Sequence, residues 1–216
     1  MKKNLNSFTE QLKSKLGENL LLVSLYGSKA RGEHVKRHSD INILIILNKR
    51  DLSCLKAIAG IKKKPAFRDI SPLVFTRDYL NSSVDTFPIE FLDIKESYSV
   101  LYGEDCLKGL KIGLKNLRHQ CEWELKSKII QLQKFYINSG GNTKALQQFL
   151  LKALPSFTVI FKNIQRLKNI DSDLDQDVLN ELRQARVSNR KIKDTQGTFE
   201  KFLSMLYRLS DAVDKL

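Results

Sequence analysis

Cysteine is scarce in this chain, and so are acids and long apolar runs. Only Cys54, Cys106 and Cys121 occur in 216 residues. They lie far apart, with no CxxC or His-paired spacing, which argues against both a zinc site and a disulfide framework and makes a reducing cytoplasm the expected setting. No stretch is long and apolar enough to span a bilayer, and the lysine-bearing start has no long apolar run behind it. A soluble, unexported, cytoplasmic protein without membrane contact is therefore expected. Acids number 24 against 37 lysines and arginines, a net charge of +13 with pI near 9.6. That balance favours anionic partners such as nucleotides or nucleic acid without choosing between them. Residues 1–112 carry 19 Lys+Arg against 13 Asp+Glu, +6, and residues 113–216 carry 18 against 11, +7, so the charge is not held in a tail. No internal repeat or low-complexity tract is present.

The length suits one large or two small domains. In the first half, the spacing predicts a helix over 7–16, with Phe8, Leu12 and Leu16 four apart and Gly17 as a stop. A strand over 20–25 follows, and then one over 41–47 whose unbroken apolar run suits burial on both faces. A helix over 51–63 and strands over 70–76 and 89–94 complete the region, and Tyr102-Gly103-Glu104-Asp105 reads as a closing turn. From Leu114 the apolar residues step by three and four through Leu117, Cys121, Leu125, Ile129, Leu132 and Tyr136, a helical stripe that Gly140-Gly141 ends. Further helices are expected over 143–167, kinked or split at Pro155, over 174–187 and over 199–216. The expected class is α+β: a mixed-sheet domain over 1–112, then an all-α helical bundle over 113–216.

The chemistry concentrates in residues 20–47. A strand ends in Tyr26-Gly27-Ser28, followed by Lys29-Ala30-Arg31-Gly32, a basic loop over 33–38, and Ser39-Asp40-Ile41-Asn42 opening a second strand. A strand that runs through Gly-Ser into a helix turns backbone N–H groups and a positive dipole end toward a phosphate, and Ser28 is placed to cap a short helix there. Positions 40 and 42 point to one face of a strand, where two carboxylates would share a divalent metal. Here the pair is Asp40 and Asn42, one charge short.

This order of strand, Gly-Ser, Ala-Arg-Gly, Ser-Asp-Ile-x and apolar strand resembles the nucleotidyltransferase superfamily of DNA polymerase beta. The resemblance implies that Gly27 and Ser28 hold a triphosphate, that Asp40 is the first ligand of magnesium or manganese, and that Asn42 stands at the second ligand position. In two-metal chemistry, anionic oxygens offset about four positive charges, so a carboxamide there weakens hard-cation binding. Arg31 is placed to contact the same phosphates, with an ion pair to Glu33 or Asp40 as the alternative. The third carboxylate is open among Asp69, Glu90 and Asp93, and a surface role suits each of them.

A domain of this kind followed by a helical bundle resembles the bacterial antibiotic adenylyltransferases in architecture. The function implied is transfer of a nucleoside monophosphate from a nucleoside triphosphate to a hydroxyl acceptor on a small molecule, protein or RNA. The alternative is a degenerate nucleotide- or RNA-binding regulator of toxin–antitoxin type. Acceptor, base preference and oligomeric state are not written in the sequence.

Other groupings point to structure. The acidic run from Asp171 to Asp177 has Gln176 and Leu182 where a calcium loop needs glycine and glutamate, and reads as an acidic helix start. Arg183, Arg186, Arg190, Lys191 and Lys193 gather toward a helix C-terminus, where cations are favoured in any case. His34 and His38 flank the metal loop without a paired nucleophile, and His119 reads as a helix-surface residue.

Overall fold

The computed structural model describes residues 2–32, 40–167 and 175–216, so His34, His38, Ser39, the basic loop and the start of the acidic run lie outside the described residues. The chain divides into two compact units, Met1–Ile112 and Gly113–Leu216.

The first unit is a four-stranded mixed sheet with helices on both faces. Its strands are β1 (Leu20–Tyr26), β2 (Ile41–Leu47), β3 (Ile70–Thr76) and β4 (Tyr98–Gly103), in the order β3-β2-β1-β4. β1 pairs antiparallel with β2 and β4, and β2 pairs parallel with β3. The apolar run of β2 follows from its central place: Ile43 through Leu47 are all buried, because each face of the strand is covered. Odd positions Ile43, Ile45 and Leu47 meet α1 (Lys2–Leu16) and α2 (Leu52–Lys62) through Leu5, Phe8, Leu12, Cys54, Ile58 and Ile61. Even positions Leu44 and Ile46 pack with Leu80 of α3 (Arg77–Ser82) and with Phe91 and Ile94 of α4 (Pro88–Glu96). Asp51 starts α2 by accepting from the Cys54 N–H at 2.9 Å and the Ser53 hydroxyl at 2.6 Å, contacts that hold its carboxyl down to about 2.

Three expectations are corrected in this unit. Residues 89–94 form helix α4 instead of a strand. A short, largely apolar segment of this kind suits a strand or a helix, but Pro88 fits a first helical turn, and Pro88, Ile89, Phe91 and Ile94 are the residues buried. The edge of the sheet is taken by β4, whose last residues had read as a turn. The segment after Ser28 forms turns and no regular helix: Ala30 and Arg31 N–H groups both donate to the Gly27 carbonyl, at 2.9 and 3.2 Å, and Gly32 at φ +71° ends the run.

The second unit is helical throughout its described residues: α5 (Leu114–Asn138), α6 (Thr143–Arg166), α7 (Gln176–Ser188) and α8 (Thr195–Asp214). The stripe of Leu117, Cys121, Leu125, Ile129 and Leu132 is buried, whereas Leu114 and Tyr136, the first and last residues expected in it, are exposed. His119 is exposed on α5. Helix α6 runs through Pro155 without a break. Proline has no N–H to give the carbonyl four residues back, that of Leu151, and the Arg186 guanidinium on α7 donates to that oxygen instead. Arg186, although exposed, therefore completes the backbone of a neighbouring helix. At the other end of α7, Asp175 accepts from the Val178 N–H at 3.1 Å and Asp177 lies in the first turn, so the tail of the acidic run does start a helix.

Candidate active site

At the end of β1 the backbone must turn sharply, and Gly27 does so at φ +77°, a region that side chains disfavour. Its N–H donates to the Ser97 carbonyl at 3.0 Å, which ties the turn to the end of α4, and its carbonyl accepts from residues 30 and 31. The Ser28 N–H, the Lys29 N–H and the Ser28 hydroxyl are left without a partner among the described residues. Two adjacent amides and a hydroxyl at a tight turn are a set of donors suited to a phosphate. The donors thus come from a turn, where the sequence had suggested a helix N-terminus.

Strand pairing brings the second half of the motif to this turn. Tyr26 lies directly across from Asn42, and a Cβ placed on Gly27 would stand 3.2 Å from Asn42 Nδ2. Register then extends one row across the sheet: Ser71, Asn42, Tyr26 and Tyr98 are successive partners on β3, β2, β1 and β4. Side chains of paired residues share a face, so Ser71 occupies the place on β3 from which an acid would reach the Asn42 side. Burial raises the Tyr26 phenol above its ordinary range. Tyr98 is raised as well, by burial first and then by donating to Asp105 Oδ2 at 2.8 Å.

Asp40 is exposed just ahead of β2, and Asn42 is half-buried. The Ile41 N–H donates to the Asp69 carbonyl at 2.7 Å, so the backbones beside Asp40 and Asp69 meet at the open end of the sheet, where Asp69 is exposed. Glu90 and Asp93 lie one turn apart on α4 and so share a side of that helix; on the expected strand they would have faced opposite ways. Among the described residues, no three His, Cys, Asp or Glu side chains are grouped to hold a metal. Arg31 is exposed at the end of the Gly27 turn.

No protein-family model matches the chain. Over 108 residues it is 32% identical to a provisionally named protein adenylyltransferase of Methanocaldococcus jannaschii, an alignment that spans 47% of this chain and 71% of that protein. The chain belongs to the nucleotidyltransferase superfamily. A spectinomycin adenyltransferase from Enterococcus faecialis, crystallised with ATP and spectinomycin, superposes on 99% of this chain and 99% of its own length with TM-score 0.51 and 12% identity, a likeness of fold. Within this nucleotidyltransferase fold, the sequence pointed to backbone N–H groups after Gly27 but gave no sign of Ser97 or Tyr98, or that the amides would be those of a turn. No local signal marks them, since strand pairing and turn geometry depend on residues far apart in the chain.

Proposed function

We propose that the protein transfers a nucleoside monophosphate from a nucleoside triphosphate to a hydroxyl acceptor, with Gly27, Ser28 and Arg31 at the phosphates and Asp40 and Asn42 toward a divalent cation, magnesium or manganese. The observation that carries this reading is the pairing of Tyr26 with Asn42, which sets the donor-rich turn beside the open end of β2. The donor set fits one hard cation brought in with its nucleotide. Asp40 offers one carboxylate and Asn42 one carbonyl oxygen, and magnesium is commonly held by one or two carboxylates plus substrate phosphates. It does not fit a preformed pair of ions, because Ser71 and Asn42 stand where further charge would be needed.

When bound, the cation supplies Lewis-acid polarisation of the phosphoryl oxygens. The chain's own groups do the rest. The Ser28 and Lys29 amides and the Ser28 hydroxyl hold phosphate oxygens, and Gly27 lets the backbone approach without a side chain in the way. Arg31 balances charge on the transferred group. A protein hydroxyl is the first acceptor to test, since that is what the name of the sequence relative points to. The second reading, a nucleotide-binding protein without turnover, draws on the same scarcity of grouped acids.

Titration of Mn2+ in the presence of a nonhydrolysable ATP analogue separates these. Asn42→Asp completes a carboxylate pair on one strand face and should tighten Mn2+ binding by about tenfold or more, with faster transfer of labelled AMP to protein, because the added anion offsets cation charge directly. Asp40→Asn should weaken Mn2+ binding to a similar extent. Unchanged metal affinity in both variants would remove these positions from any metal site and end the enzyme reading.

A further inference from the structure

The helices that cover one face of the sheet, with the turn that follows α2, hold the excess charge of the whole first unit. Residues 3–16 and 52–68 contain eight lysines and arginines against the single acid Glu10, +7, while residues 1–112 together carry +6. The remainder of the unit is thus close to neutral, and the apparent spread of charge along the sequence becomes a one-sided distribution once α1 and α2 are laid side by side. Glu10 is itself taken up by Lys13 at 2.9 Å.

Between these helices runs a groove of about 420 Å³, lined by Gln11, Ser14, Lys15, Lys56, Gly60 and Lys64 among others, with no carboxylate in its walls. A Cβ on Gly60 would meet nothing within 4 Å, so its floor is open. Lys64 donates to Gln11 Oε1, and neither Lys15 nor Lys56 has a carboxylate partner among the described residues. Like charges that line one groove without acids repel one another, so a polyanion that seats among them relieves that repulsion.

We infer that the α1–α2 groove binds the phosphodiester backbone of a single-stranded nucleic acid. The groove lies on the far side of the sheet from the candidate active site. Leu5, Phe8 and Leu12 of α1 pack with Ile43 and Ile45, whereas Asn42 alternates to the face shared by Leu44 and Ile46. A strand bound here is therefore a tether and does not occupy the nucleotide turn, and the inference stands apart from the proposed transfer reaction. No aromatic ring lines the groove, so bases have nothing to stack on, and recognition runs through charge without regard to sequence. Lys15, Lys56 and Lys64 stand exposed along the two walls of a concave groove, a shape that a flexible strand follows along its length and that a flat headgroup surface meets only at the rims.

The test is fluorescence anisotropy with a labelled 20-nucleotide oligouridylate between 50 and 200 mM KCl. Three neutralised phosphates give a slope of log K against log salt of about −2 for a single strand. Lys15→Gln/Lys56→Gln/Lys64→Gln should weaken binding tenfold or more at the lowest salt and flatten that slope, and an oligodeoxythymidylate of the same length should behave alike. Lys108→Gln/Lys111→Gln, which lies outside α1 and α2, should leave both values unchanged. Single Lys56→Glu, at an exposed position, reads the same loss if the triple variant folds poorly. Wild type that fails to bind at 50 mM KCl, or a folded triple variant with unchanged affinity and slope, overturns the inference. So does a triple variant that loses binding to phosphatidylserine vesicles while keeping the oligonucleotide.

Discussion

Substituting Gly27 tests the site where it is tightest. At φ +77° an alanine costs about 1–2 kcal/mol in backbone strain, before any contact is counted. Its Cβ would then lie 3.2 Å from Asn42 Nδ2, a crowding that the carboxamide relieves only by leaving its place, for a further cost of about 0.5–1 kcal/mol. Gly27→Ala should therefore destabilise the first unit by about 2 kcal/mol, which for a unit of this size lowers its melting temperature by roughly 8 °C. Calorimetry is the suitable readout, since the single tryptophan, Trp123, lies in the second unit, where its fluorescence provides an internal reference. The cycle with Asn42→Ala separates the two contributions. In the alanine background the contact cost disappears while the strain remains, so the coupling should be about 0.5–1 kcal/mol. Costs that add to within about 0.3 kcal/mol, or a Gly27→Ala that loses less than about 0.5 kcal/mol, would show that the turn does not abut Asn42, and the geometry on which the proposed site rests would fail.

Gly103 should tolerate no side chain at all: at φ +88° a Cβ would stand 1.9 Å from the Leu21 carbonyl oxygen, so Gly103→Ala should part β4 from β1 and cost roughly 3 kcal/mol or more, read as lost amide protection at Leu22 and Tyr102. Cys121, fully buried on α5, has its thiol pushed up to about 12, by burial first and by Glu124 second. It should resist thiol reagents at pH 8 while half-buried Cys106 reacts, and a fast-reacting thiol that Cys121→Ser removes would contradict this. Because the folded value lies above the unfolded value near 9, the folded state holds its proton where the unfolded chain gives it up. Bundle stability should then be fully present below pH 9 and fall as pH rises toward 12, and Cys121→Ser should remove that part of the alkaline loss, both followed by Trp123 fluorescence.

Much of the fold is legible in the sequence because its signals are local. The apolar runs of β1 and β2, the strand 70–76, the helix capped by Asp51 and the period of α5 all express burial patterns that a few neighbouring residues specify. Residues 89–94 and 102–105 are misread because their local pattern is ambiguous. A six-residue, largely apolar segment serves a strand or a short helix that packs on one side, and only the packing of α4 on the sheet face and the pairing of β4 with β1 resolve it. Pro155 misleads for a related reason, since the partner of the orphaned Leu151 carbonyl comes from Arg186, 35 residues on.

The groups available are written in the chain: a glycine able to turn, a serine after it, one carboxylate and one carboxamide two residues apart, and more cations than acids. Tertiary structure decided their company. Register, a long-range property, put Asn42 opposite Tyr26 and Ser71 in the remaining place on the same face. Turn geometry freed the Ser28 and Lys29 amides, and the docking of α1 beside α2 gathered lysines that the sequence keeps some forty residues apart. Residue identity is local, whereas charge density and donor convergence depend on distances that only the folded chain sets.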